Sequence, residues 1–318
     1  MEQETKNNNY RHASGSKLHA SGHIPVLLKE TIAVLNPKPG EFFIDGTVGN
    51  GGHAAPILEK IMPSGKFLAV DWDESNLMKT KKEIEAKFSV PDSKSKIFWL
   101  DGNYLNLPEV LKDLGKADGL LLDLGFSSEQ LATGRGFSFS GPEEPLLMTY
   151  DVYEVPVKTL IKKLSEPELA QIIKNFGEER YSKRISRAIK QSRFPIETNK
   201  QLAEAVARTV PKNYERGRIH PATRTFLALR IYANQELANL EKLLGSLNEI
   251  LKTGGRIAII SFNSLEDRIV KNFFREKAKE GKMEILTKKP ISPEFEEIKQ
   301  NPRSRSAKLR AASMKRET

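Results

Sequence analysis

The sequence predicts an α/β fold, a mostly parallel sheet with a helical domain inserted between two of its strands. Three observations predict it. Short apolar runs alternate with amphipathic stretches from residue 23 onward, the pattern of βαβ units. A glycine-rich turn directly follows the first apolar run that reads as a strand. And about 130 residues separate the fourth such run from the fifth, far more than one crossover helix needs.

Taken in order, residues 1–22 are rich in Asn, Ser, Lys and His and read as a disordered polar tail. Residues 41–45 (EFFID) give the first strand, and a helix follows the glycines over 52–61. Residues 66–71 (KFLAVD) read as a second strand and 74–88 as an amphipathic helix. The third and fourth strands are expected at 97–100 and 119–123 (GLLLD). A fifth, 257–261 (IAIIS), comes after Gly254-Gly255. The stretch 133–217 contains no convincing strand but has helical segments at 167–176 and 178–191, the latter carrying Arg180, Lys183, Arg184, Arg187 and Lys190. A long helical pattern over 224–251 is the candidate crossover. The chain therefore divides into the tail, a first α/β part (23–132), an inserted helical domain (133–217) and a second α/β part (218–318). The last of these ends in a basic segment, 301–318, with six basic residues against Glu317. A solvated tail and an RNA contact are both open for it, and 307–310 also offers a last strand.

Composition narrows the function classes. Basic residues number 51 against 41 acidic, for a formal charge of +10, which favours polyanions as partners. There is no cysteine, so disulfides, thiolate metal sites and thiol nucleophiles are excluded. That fits a reducing compartment. No apolar run approaches the roughly 20 residues that cross a bilayer, and residues 1–22 have no apolar signal region. A cytoplasmic location is expected, without membrane contact.

The strongest local signal is Asp45-Gly46-Thr47-Val48-Gly49-Asn50-Gly51-Gly52-His53. A strand ends in a carboxylate, glycines let the backbone approach a ligand closely, and a helix N-terminus presents free N–H groups. Residues 49–54 even fit the dinucleotide pattern G-x-G-x-x-A. The second strand ends at Asp71, where a carboxylate accepts hydrogen bonds from ribose hydroxyls. Up to this point an NAD enzyme and a methyltransferase are level. The end of the fourth strand separates them. Asp123 and Phe126 stand three apart in Asp123-Leu124-Gly125-Phe126-Ser127-Ser128. A carboxylate there can accept from an exocyclic amine while the ring stacks on a base, the arrangement of amino-group methyltransferases. A strand-capping Asp and a core Phe are the plainer alternative.

Eight ordered motifs then carry a resemblance. They are His23-Ile24-Pro25-Val26-Leu27-Leu28, Asp45-Gly46-Thr47 with Gly51-Gly52-His53, Leu122-Asp123-Leu124-Gly125-Phe126-Ser127-Ser128 with Gln130-Leu131, and Arg135-Gly136-Phe137-Ser138-Phe139. Gly177-Glu178-Glu179-Arg180-Tyr181, His220-Pro221-Ala222-Thr223-Arg224-Thr225-Phe226, Ser264-Leu265-Glu266-Asp267-Arg268 and Asn301-Pro302-Arg303-Ser304-Arg305-Ser306 complete the set. The chain resembles the MraW family of bacterial 16S ribosomal RNA (cytosine-N4) methyltransferases from about residue 23 to 312. The resemblance implies a class I S-adenosylmethionine methyltransferase, a Rossmann-like sheet whose inserted helical domain recognises the substrate. It also implies methylation of the N4 amine of a decoding-centre cytidine in 16S rRNA, within the small ribosomal subunit. Carried over by position, Gly51, Gly52, His53, Asp71, Tyr104, Asp123 and Gln130 would hold S-adenosylmethionine, with Asp123 and Phe126 at the acceptor. A monomer and a homodimer are both compatible.

Two departures stand out. The family's D-G-P-L-D-M-R-M-D reads here Glu144-Pro145-Leu146-Leu147-Met148-Thr149-Tyr150-Asp151, which loses an acid and an Arg. Its S-F-H-S-L-E-D has Asn263 in place of the His, a residue that hydrogen-bonds but does not titrate near neutrality. The expected chemistry is direct transfer from sulfonium to N4, with no metal. Methylation at C5 of cytosine begins with cysteine attack, a route closed to this chain. An NAD-dependent oxidoreductase, a non-catalytic RNA-binding protein on the same fold and a DNA amino-methyltransferase are the alternatives.

Overall fold

The computed structural model describes residues 24–88, 96–125, 134–151, 154–217 and 219–315. Its sheet has seven strands: β1 Phe42–Asp45, β2 Lys66–Asp71, β3 Lys96–Asp101, β4 Ala117–Asp123, β5 Leu251–Ser261, β6 Met283–Ile285 and β7 Lys308–Met314. They lie in the order β3-β2-β1-β4-β5-β7-β6. The first five pair in parallel, and β7 runs antiparallel to both neighbours. Sequence order reverses between β1 and β4, so a crevice opens beyond their carboxyl ends, where open α/β sheets bind ligands. Four parallel strands finish on that side in a carboxylate: Asp45, Asp71, Asp101 and Asp123.

The apolar runs of the central strands are buried because both faces of the sheet are covered. Successive residues point to opposite faces. Leu68, Val70, Leu120, Leu122, Ile257 and Ile259 join one core with helices Leu107–Leu114, Glu236–Gly245 and Ser264–Lys279. Phe67, Ala69, Leu121, Ala258 and Ile260 join the other with helices Leu28–Leu35, Ala54–Ile61 and Glu74–Phe88. A third cluster draws on helices and loops and on no strand. It contains Phe137, Leu146, Ile173, Ile185, Leu202, Tyr214, Phe226 and Leu229, and so includes helix Thr223–Ala233 as well as the helices of the long insertion.

Three expectations need correction. The helical pattern over 224–251 is three helices, Thr223–Ala233, Glu236–Gly245 and Leu247–Ile250, and Leu251 already belongs to β5. The first break falls at Gln235, whose left-handed backbone (φ 51°) stops the helical run. Gly254-Gly255 is not a turn ahead of β5 but an irregularity within it. Leu251 pairs with Ala117 and Arg256 with Gly119, and Gly254 (φ 79°) absorbs the extra length. Of the readings open for the basic segment, finally, the solvated tail does not hold over 301–315. Asn301 precedes a tight 3₁₀ turn, Pro302–Ser306, after which β7 inserts between β5 and β6. Its Arg310 is buried against Asp267 at 2.6 Å, which is how a cation is tolerated inside the sheet.

Candidate cofactor and acceptor site

The loop after β1 is tied down on every side. Gly46 N donates to Leu121 O at 2.9 Å and Val48 N to Val70 O at 2.8 Å, which fastens the loop to both neighbouring strands. A Cβ on Gly46 would come within 2.5 Å of the Leu122 side chain, so only glycine passes there. Thr47 N donates to Asp45, and the Thr47 hydroxyl accepts from Asp123 N at 2.6 Å. Asp71 accepts from Gly49 N, Asp73 N and the Asn76 amide at 2.9, 2.9 and 3.1 Å. Its carboxylate thus organises the loop before any ligand is considered. Burial, opposed by these donors, pushes its pKa up to about 6. Burial pushes Asp45 further, to about 8, with Asp123 and Asp71 adding repulsion.

His53, at the N-cap of helix Ala54–Ile61, is buried. Its Nε2 lies 2.9 Å from Val26 O, and its Nδ1 faces the Asp123 carboxylate at 3.7 Å. A carbonyl can only accept, so Nε2 carries the hydrogen and Nδ1 is left toward Asp123. The same Val26 belongs to a strap over the site. Asn301 donates to Ile24 O at 3.0 Å, and Leu27 N donates to Glu297 at 2.8 Å.

These elements enclose a cavity of about 300 Å³ beyond β1, β2 and β4. Gly52, His53, Asp71, Tyr104 and Asp123 all line it, as the sequence predicts for them. Gly51 does not line it. Gly51 has φ 72°, and a Cβ there would press on Thr80 and Ile84 at 3.1 Å, so its glycine serves the turn and the helix behind. Phe126 and Gln130 lie outside the described residues.

Several lining residues were not foreseen. Trp72 and Tyr150 pack with ring centroids 5.5 Å apart on one wall. Tyr150 donates to Glu236 at 3.3 Å, and Arg230 holds that Glu236 through two bonds of 2.7 and 2.8 Å. Glu266 also lines the cavity, where burial, partly offset by Arg230, raises its pKa to about 7. Phe262, whose N donates to Glu266 at 2.9 Å, sits against Gly125, whose missing side chain makes room for the ring. A Cβ at Gly125 would lie 2.6 Å from that ring and 3.2 Å from Asp123 Oδ1. These residues come from distant points of the chain, and no local pattern announces them. Positional hints did exist: Trp72 follows the strand-ending Asp71, Tyr150 lies in the departing 144–151 stretch, and Glu266 belongs to the quoted Ser264-Leu265-Glu266 motif beside Phe262.

The MraW methylase family model matches residues 20–315. The chain belongs to that family. A curated relative from Trichlorobacter lovleyi, named ribosomal RNA small subunit methyltransferase H, is 46% identical over 91% of this chain and 97% of its own length. Relatives of the same name from Syntrophus aciditrophicus and Thermotoga neapolitana are each 44% identical, over 92% of this chain and 97% and 96% of theirs. The methylase is accordingly an S-adenosylmethionine-dependent methyltransferase with a Rossmann-like sheet. The residues present fit that cofactor. Both amide atoms of Asn50, on the cavity wall, are buried without a partner, a donor and an acceptor held ready in the glycine loop. Asp71 offers carboxylate oxygens at the end of β2, and Trp72, Tyr104 and Tyr150 supply an aromatic lining.

Proposed function

We propose that this methylase transfers a methyl group to the N4 amine of a cytidine in the decoding centre of 16S rRNA, acting on the small ribosomal subunit in the cytoplasm. The observation that carries the reading is the Asp123 carboxylate, which lines the cavity at the end of β4 together with Phe262 and with His53, 3.7 Å away. Gly52, His53, Asp71, Tyr104 and Asp123, with Asn50, would hold the cofactor, joined by Gly51 through the turn it permits and by Gln130. Bound there, S-adenosylmethionine supplies a methyl group on a positively charged sulfur.

The N4 lone pair is delocalised into the cytosine ring, so the amine is a weak nucleophile. Asp123 accepts its N–H and opposes the positive charge that grows on nitrogen during transfer. An acceptor of that kind is worth about 10²–10³ in rate. His53 Nδ1 stands 3.7 Å from Asp123 and is the next polar group along the path of the released proton. Phe262 gives the cytosine a flat apolar face beside Asp123, a role shared with Phe126. The helical domain, 133–217, serves substrate recognition, and Arg303 and Arg305, on the turn at the cavity rim, face the RNA backbone.

Small subunits from a strain lacking this protein provide the test. Wild type should methylate them at one cytidine, Asp123→Ala should not, and Asp123→Asn should retain a fraction of the rate at saturating cofactor. Modification at another atom, or full activity of a folded Asp123→Ala variant, refutes the reading.

A further inference from the structure

Beyond the cavity, the segment 180–194 carries six basic residues, Arg180, Lys183, Arg184, Arg187, Lys190 and Arg193, and no acid. Two of its cations have structural duties. Arg187 pairs with Glu166 at 3.3 Å, and Lys190 caps the helix Val157–Lys163 by donating to Ile161 O and Lys162 O. The other four, Arg180, Lys183, Arg184 and Arg193, are exposed and have no carboxylate partner among the described residues.

The acids that could neutralise them are engaged elsewhere. Glu178 accepts from Ser264 at 2.6 Å and from Arg268 at 2.9 Å. Glu179 is buried, taking bonds from Tyr181 N and from the Tyr214 hydroxyl. The guanidinium groups rest on rings instead. Arg180 and Arg184 lie 4.9 and 5.8 Å from the Tyr181 centroid, and Arg193 lies 5.4 Å from that of Phe194. A ring steadies a guanidinium through its face and consumes none of its five N–H donors. Phe194 is itself 68% exposed, an unusual position for a large apolar side chain. Helix Ser182–Lys190 buries its apolar stripe, Ile185 and Ile189, and turns the cations outward.

We infer that Arg180, Lys183, Arg184, Arg193 and Phe194 form a docking surface for ribosomal RNA separate from the cytidine pocket. The cations contact backbone phosphates, and Phe194 stacks on an unpaired base. Position supports this partner, because Glu178 joins the start of the segment to Ser264, two residues beyond the cavity-lining Phe262. The inference rests on the proposed RNA substrate, and the two fail separately.

The experiment measures binding of unmodified small subunits across a salt series. One variant reverses Arg180, Lys183, Arg184 and Arg193 to Glu, and a control reverses exposed Lys116, Lys242, Arg275 and Lys279 to Glu. Each phosphate contact contributes about 0.7–0.9 to the slope of log affinity against log salt. The first variant should lower that slope by about 3, and the control should change it little. Phe194→Ala should weaken binding roughly tenfold, within the range for one stacked base. Calorimetry should show unchanged cofactor affinity in all three. A wild-type slope in the first variant, or an equal loss in the control, overturns the docking surface whether or not methyl transfer occurs. Absence of methyl transfer by wild type overturns the substrate assignment instead.

Discussion

Gly125→Ala tests how the acceptor wall is built. The new Cβ would lie 2.6 and 2.8 Å from two atoms of the Phe262 ring, against an ordinary contact of about 3.5–4.0 Å. Either the ring retreats by about 1 Å or the end of β4 moves, and the second choice displaces Asp123, whose oxygen would be 3.2 Å from the same methyl. Overpacking of this kind costs about 1–3 kcal/mol of stability. A reacting group misplaced by about 1 Å costs up to about 10²-fold in rate. Methyl transfer on unmodified subunits gives KM and kcat, and calorimetry gives cofactor affinity. The KM for subunits should rise about 5- to 150-fold, the equivalent of about 1–3 kcal/mol of stacking, while cofactor affinity stays within about twofold. Phe262→Leu, which keeps most of the volume but no flat face, should raise KM comparably, and Phe262→Tyr should restore it. The two lesions share one ring, so the double variant should be little worse than either single one. Additive losses, or an unchanged KM in folded Gly125→Ala, would refute Phe262 as the stacking face.

Asp71→Asn should weaken cofactor binding by about 1.5–3 kcal/mol, the value of a hydrogen bond to a charged group, as measured by calorimetry. It also loosens the loop, since Gly49 N and Asp73 N lose their charged acceptor, and a lower melting temperature should accompany it. In cofactor-free protein, affinity measured by titration should fall as pH drops through about 6, where Asp71 becomes protonated. Asp45 moves stability the other way round. Its folded pKa of about 8 exceeds its unfolded value of 3.8, so the folded protein binds the extra proton and loses stability as pH rises toward 8. Relative to Asp45→Asn, wild type should lose about 2–3 kcal/mol between pH 6 and 8 in denaturant titrations, and parallel pH profiles would contradict the burial of that proton. Asp267→Ala strands Arg310 inside the sheet and should cost about 3–5 kcal/mol. Truncation before Asn301 should abolish folding rather than merely weaken RNA binding, which circular dichroism would reveal.

The five parallel strands were legible from their short apolar runs, and the carboxylates that end β1, β2 and β4 from their place before the turns. β6 spans three residues, Met283–Ile285, too few to show a period. β7 was offered only as an alternative at 307–310, and its burial was hidden, since nothing local says that Asp267, 43 residues earlier, neutralises Arg310. Gly254-Gly255 looked like punctuation because a glycine pair reads the same in a turn and in a bulge. At the site, the loop and strand-end residues were readable from their spacing. Trp72, Tyr150, Glu236, Phe262 and Glu266 were not, because the fold alone brings them together.

The strap and the last strand also bear on how the molecule is made. Ile24 and Pro25 border the cavity from one end of the chain, and Gln300 to Arg303 border it from the other. Between β5 and β6 lies β7, so the emerging polypeptide has no partner for either edge until residue 314 has left the ribosome that synthesises it. The wall that Gln300 to Arg303 give the cavity is therefore fixed only when β7 takes its place in the sheet.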